Sequence, residues 1–140
     1  MVDESQVRED WLTKAKLADV IVFDLDGTLV DSDLANFLSY KDAAMRVLSR
    51  KLNMDTAQSV RITREILEKI IPNITDKQII NIALEKERIY PEYLSKTSTN
   101  PQLIEIIERS RGKDVVLATD SRRCRADMLL NHHGITEKFS

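Results

Sequence analysis

Residues 20–32 read VIVFDLDGTLVDS. Four apolar residues in a row, Val20 to Phe23, predict a parallel-type strand buried on both faces, because a half-exposed strand would alternate. The run stops at two carboxylates, Asp24 and Asp26, followed by Gly27 and Thr28. In an open parallel sheet, ligands collect beyond the C-terminal ends of the strands. Two carboxylates there, one residue apart, can divide a reaction between them. The first attacks an electrophile while the second handles the proton of the leaving or entering oxygen. Both are hard oxygen donors suited to Mg²⁺. Gly27 allows a sharp backbone turn, and the Thr28 hydroxyl is placed to hydrogen-bond a carboxylate. A solvated acidic turn is the simpler alternative.

Working backward from this strand, residues 7–17 have helical spacing, with Trp11, Leu12 and Ala15 on one stripe and Trp11 as the expected anchor to the sheet. Forward of it the period changes to that of a helix. Leu34, Leu38, Met45, Leu48 and Leu52 mark a first helix to about residue 51. Asp55 and Gln58 have the spacing of a capping box, before an inward face of Val60, Leu67, Ile70 and Ile71 that ends at Pro72. Thr75 and Gln78 form a second capping box, followed by Ile79, Ile80, Ala83 and Leu84 and a stop before Pro91. A short segment over 92–96 completes the block.

Asn100 and Pro101 are an N-cap and a first helical residue, leading Leu103, Ile104, Ile106 and Ile107 to a stop at Gly112. Residues 114–119, DVVLAT, predict a second buried strand. Ser121 is the expected start of a last helix, with Met128, Leu129 and Leu130 inward and Gly134 closing it. The order is strand, helical block, helix, strand, helix. This is an α/β pattern with a right-handed parallel crossover.

Composition narrows the function. The chain of 140 residues has 42% hydrophobic and 31% charged residues, values that support a packed core. A net charge of −2 offers no electrostatic footing for nucleic acid or an anionic membrane. The single cysteine, Cys124, excludes an internal disulfide. No apolar run reaches a membrane span, and the polar N-terminus is unlike a secretory signal. A soluble, cytoplasmic protein is the expectation.

DLDGTLVDS resembles the first motif of the haloacid dehalogenase-like hydrolases, and the branch that includes phosphoglycolate phosphatases and β-phosphoglucomutases has a helical insertion at this point. The resemblance implies a Rossmann-like core over 1–32 and 99–140, its parallel sheet incomplete in this chain, and a helical cap over 33–98 that selects substrate. It makes Asp24 the nucleophile and Asp26 the acid–base. It gives Mg²⁺ to the Asp24 carboxylate and the Asp26 backbone carbonyl, and phosphate contacts to Thr119, Asp120, Gly27 and Thr28. Thr119 matches the second motif, with Asp120 and Ser121 at a helix start where an anion is favoured. The second aspartate favours phosphoryl transfer over carbon–halogen cleavage.

The implied activity is Mg²⁺-dependent hydrolysis of a small phosphorylated metabolite. A phosphomutase and a non-catalytic binding or regulatory module are the alternatives. The family's later lysine and acidic pair have no match before Ser140, so completion by a C-terminal segment or by a homodimer is the expectation. Arg122, Arg123 and Arg125 flank the second motif, most of them as surface charges. Asp31 and Ser32 suit a turn and N-cap. His132 and His133 suit a helix end, where positive charge is favourable.

Overall fold

The structure, a computed structural model, describes residues 3–55 and 61–140. The chain runs α1 (Glu4–Leu17), β1 (Val20–Phe23), β2 (Val30–Asp31), α2 (Asp33–Leu48), α3 (Arg64–Ile70), α4 (Asp76–Ile89), a 3-10 segment (Tyr90–Lys96), β3 (Ser98–Thr99), α5 (Pro101–Arg109), β4 (Asp114–Leu117), α6 (Arg123–His132) and a 3-10 turn (Thr136–Lys138). These elements form two compact units. One extends to Asp31 and resumes at Ser98, and the other spans Ser32–Thr97.

The first unit is the α/β one. β1 and β4 pair in parallel, with Val20 opposite Asp114 and Phe23 opposite Leu117. The expectation of strands buried on both faces is corrected here. Phe23 and Val115 are buried, but Val20 and Val22 are 51% and 60% exposed and Val116 is also exposed. A uniformly apolar strand is buried twice only where layers cover both faces of its sheet. This sheet has two strands among the described residues and one open face, so burial alternates. β4 is also shorter than expected, ending at Leu117. Beside β4 the Ser140 N–H donates to the Val115 carbonyl at 2.8 Å.

Helix α1 starts three residues earlier than its apolar stripe, because the Asp3 carboxylate accepts the Ser5 N–H at 3.0 Å as N-cap. Leu12 is buried, and Trp11, 38% exposed, lines a shallow recess with Val20 and Val22 of β1. Arg8 grips Glu105 of α5 through two nitrogens at 2.8 and 2.5 Å. The Lys113 ammonium donates to the carbonyls of Ala15, Lys16 and Ala18, each at 2.6 Å. It thereby satisfies the carbonyls that the end of α1 leaves over. α5 begins as predicted, with Asn100 Oδ1 accepting from the Gln102 and Leu103 amides. Gly112 follows with φ +88°, a left-handed conformation that favours glycine. In α6, Leu129 and Leu130 are buried as expected, with Ala126 beside them. At its end, burial and then the neighbouring His132 push His133 down, which favours a neutral ring over the expected positive charge.

The second unit packs α2, α3, α4 and the 3-10 segment around Phe37, Met54, Leu67, Ile71, Ile82 and Ile89. The inward face of α2 is centred away from its leucine spacing. Leu38, Leu48 and Leu52 pack against the core as expected but stay partly exposed, Leu34 is exposed, and Ala35, Phe37, Ser39, Ala43 and Ala44 are buried. Small residues on that face let a neighbouring helix approach closely, and packing outranks side-chain size. The helix ends at Leu48, before residue 51, with Ser49 left-handed at φ 51°. α4 has the predicted Thr75–Gln78 capping box, both hydrogen bonds present. Its inward residues are Ile79, Ile82, Lys86 and Ile89, while Ile80 and Leu84 are exposed. Lys86 is buried with its ammonium over the rings of Tyr90 and Tyr40, 4.6 and 5.1 Å from their centroids. Gln58 and Val60 lie outside the described residues. The described α3 has Thr63 as its N-cap.

A charge network ties this unit together. Arg46 holds Asp42 through two bonds of 2.8 and 2.9 Å, and the Tyr93 hydroxyl donates to Asp42 at 2.7 Å. Burial pushes Asp42 up, but the Tyr93 hydroxyl and Arg46 outweigh it and hold the carboxyl below its usual range. Burial and the bond to Asp42 push Tyr93 up to about 12. The depressed carboxyl stabilises the fold above the ordinary carboxylate range, a contribution lost in more acidic solution. The raised phenol stabilises below pH 10.0, a contribution lost as pH climbs toward 12. Tyr93→Phe is therefore expected to cost about 1 kcal/mol at neutral pH. In urea titrations it should also flatten the alkaline fall in stability. An unchanged alkaline slope would mean that this bond is not formed in solution.

Candidate active site

Parallel pairing brings the two chemistry-bearing loops together. The Ala118 N–H donates to the Phe23 carbonyl at 2.8 Å, so the residues that follow, Thr119 and Asp24, leave adjacent strand ends. Asp24 is exposed, and the Thr28 hydroxyl lies 3.4 Å from its Oδ2, as the sequence suggested. Leu25, between the aspartates, is completely buried.

The loop closes on its own backbone. The Leu25 carbonyl accepts from the Thr28 and Val30 amides at 3.3 and 3.0 Å, and the Gly27 amide donates to the Val30 carbonyl at 2.9 Å. Gly27 has φ +74°, and a side chain there would meet nothing within 4 Å. Backbone strain alone therefore sets the cost of Gly27→Ala, roughly 1–2 kcal/mol by thermal or urea unfolding. A loss above that range would mean that the loop is more crowded than its geometry shows.

Asp26 points to the second loop. Its Oδ2 accepts the Ser121 hydroxyl, and Arg125 Nη2 lies 3.9 Å from the same oxygen and donates to Ser121 Oγ at 2.8 Å. The Ser121 amide donates to Thr119 Oγ1 at 3.1 Å. One end of the sheet thus gathers Asp24, Asp26, Thr28, Thr119, Ser121 and Arg125. Asp120 is exposed beside them.

Ser121 does not start the helix as expected. α6 begins at Arg123, with Arg122 at the N-cap position and no side-chain cap. Ser121 instead spends its hydroxyl on Asp26. Among the three arginines, Arg123 is 93% exposed and pairs with Asp127, whereas Arg125 turns inward. Its four-residue spacing from Ser121, which leads into α6, was the available signal for this contact. Among the described residues no group of three metal-binding side chains occurs.

The haloacid dehalogenase-like hydrolase family profile matches residues 21–140. The chain belongs to that family. Several solved structures share its fold. A predicted phosphoglycolate phosphatase of Haemophilus somnus superposes with a TM-score of 0.69 at 22% identity, over 87% of this chain and 60% of its own. A haloacid dehalogenase-superfamily hydrolase of subfamily IA, variant 1, from Geobacter sulfurreducens gives 0.66 at 21% identity, over 87% and 60%. A family IA, variant 3 hydrolase of Entamoeba histolytica gives 0.64 at 24% identity, over 88% and 58%. The chain spans about three-fifths of the length of these relatives. A search of curated proteins found no match. No helix among the described residues is long and apolar enough to cross a membrane.

Proposed function

We propose that this site hydrolyses a small phosphomonoester, with Asp24 as nucleophile and Asp26 as acid and base. The observation that carries the reading is the convergence of two carboxylates and the Thr119 hydroxyl at paired strand ends. Asp24, exposed at the end of β1, is free to approach a phosphorus atom. Its carboxylate oxygen forms a bond to phosphorus as the bond to the leaving oxygen breaks, and Asp26 gives that oxygen a proton. Water then attacks the aspartyl-phosphate, Asp26 takes the water's proton, and phosphate leaves with the Asp24 carboxylate restored. Thr119 binds the phosphoryl oxygens, with the exposed Asp120 beside it.

Mg²⁺ fits this donor set. The ion is commonly bound through one or two carboxylates, with water and substrate phosphate filling its remaining positions. Asp24 and the Asp26 carbonyl would hold it, and it supplies positive charge that offsets repulsion between carboxylate and phosphate. Phosphate release from 4-nitrophenyl phosphate tests the proposal. Release is expected with Mg²⁺, abolished by EDTA and restored by added Mg²⁺. A folded chain that releases no phosphate, and whose Asp24 takes up no phosphoryl group from acetyl phosphate, would overturn it.

A further inference from the structure

We propose that Arg125 is a positioning residue for the reaction, acting through Ser121 Oγ to hold the Asp26 carboxylate in one orientation. This rests on the reading of Asp26 as acid and base given above. Three observations support it. The guanidinium donates to Ser121 Oγ at 2.8 Å, and a guanidinium can only donate. The serine proton is thereby left to the Asp26 oxygen that it contacts. The same guanidinium lies 3.9 Å from that oxygen, closing a triangle of three side chains.

The side chains of Arg125 and Asp26 are 15% and 9% exposed. Burying an arginine is costly unless its charge is matched, and its planar fork fixes direction where a lysine would not. Arg125 sits in the first turn of α6, where its own amide donates to the Arg122 carbonyl at 3.0 Å. Ser121 also donates its amide to Thr119 Oγ1. The serine therefore sets the second loop and the acid–base carboxylate with one residue, and Arg125 anchors it from behind. An acid–base group must meet its proton partner within hydrogen-bond reach, and misplacement by about 1 Å can cost about 100-fold in rate.

A double-mutant cycle on phosphate release tests this. Arg125→Ala and Ser121→Ala are each expected to lower kcat about 10- to 100-fold with little change in KM. The double variant should lose no more than the worse single one, because both act on one carboxylate. Guanidinium ion added to Arg125→Ala should restore part of the rate. Arg125→Lys should retain more activity than Arg125→Ala, and the exposed Arg123→Ala should match wild type. Multiplying losses in the double variant, or full activity in Arg125→Ala while Asp24→Asn is dead, would overturn the proposal and leave the phosphatase reading intact. A second readout needs no turnover. Side-chain coupling constants measured by NMR should show one Asp26 χ1 rotamer in wild type and averaging in Arg125→Ala. An unchanged rotamer would also overturn it.

Discussion

Asp24→Asn is expected to abolish Mg²⁺-dependent phosphate release, lowering kcat by about 1,000-fold or more. The substitution keeps the shape of the side chain and removes the charge that attacks phosphorus. An amide is a poor nucleophile at neutral pH and a weaker partner for a hard cation. Asp24 is exposed and its side chain meets Thr28 only at 3.4 Å, so the fold loses little. Stability should change by no more than about 0.5 kcal/mol, as at other surface positions. A dead enzyme with an unchanged urea midpoint would place the defect in the chemistry. Retained turnover would move the nucleophile away from Asp24.

Leu25→Ala is expected to have the largest effect on stability, about 2–5 kcal/mol. The side chain is completely buried, and removing most of it leaves a cavity that the close-packed surroundings only partly fill. Stabilities of about 5–15 kcal/mol are usual for whole domains, so this is a large fraction. The same residue's carbonyl holds the Thr28 and Val30 amides, which close the turn that carries Asp26. Turnover should therefore fall along with the urea midpoint, unlike in Asp24→Asn. A loss below 1 kcal/mol would mean that Leu25 does not anchor the loop.

These two variants concern neighbouring residues of one short loop, and that loop was the part most legible from sequence. An apolar run ending in two aspartates, glycine and threonine places its own parts: Leu25 is the apolar residue of the turn and goes into the core, while Asp24 stays exposed at the strand end. Local signals read equally well: the Thr75–Gln78 capping box and the Asn100–Pro101 helix start depend on residues within a turn of each other. Features that depend on what lies opposite are not written in the local pattern. The strand β1 is apolar throughout, yet only the faces that another layer covers become buried. In α2 and α4 the inward stripe passes through Ala43, Ala44 and Lys86, while Leu34 and Leu84 face solvent. Contact with neighbouring helices selected those faces, and no count of leucines records it.

The same limit applied at the site. Ser121 has the residue type of a helix cap, and its hydroxyl went to a carboxylate 95 residues earlier in the chain. The pairing of β2 with β3 was also invisible, since two residues on each side, far apart in sequence, carry no periodicity.

That pairing makes the helical unit a guest on a clamp. Val30 lies opposite Thr99 and Asp31 opposite Ser98, so the chain leaves and returns through neighbouring backbone positions, spaced by about 5 Å as in any antiparallel ladder. The Asn100 amide adds a bond to the Leu29 carbonyl at 2.9 Å. Whatever is threaded between residues 31 and 98 starts and finishes at one fixed point. The clamp bears the entropy of closing that long excursion, and the aspartate loop just ahead of it does not. A lineage is thus free to lengthen, shorten or rebuild the helices without moving the two carboxylates.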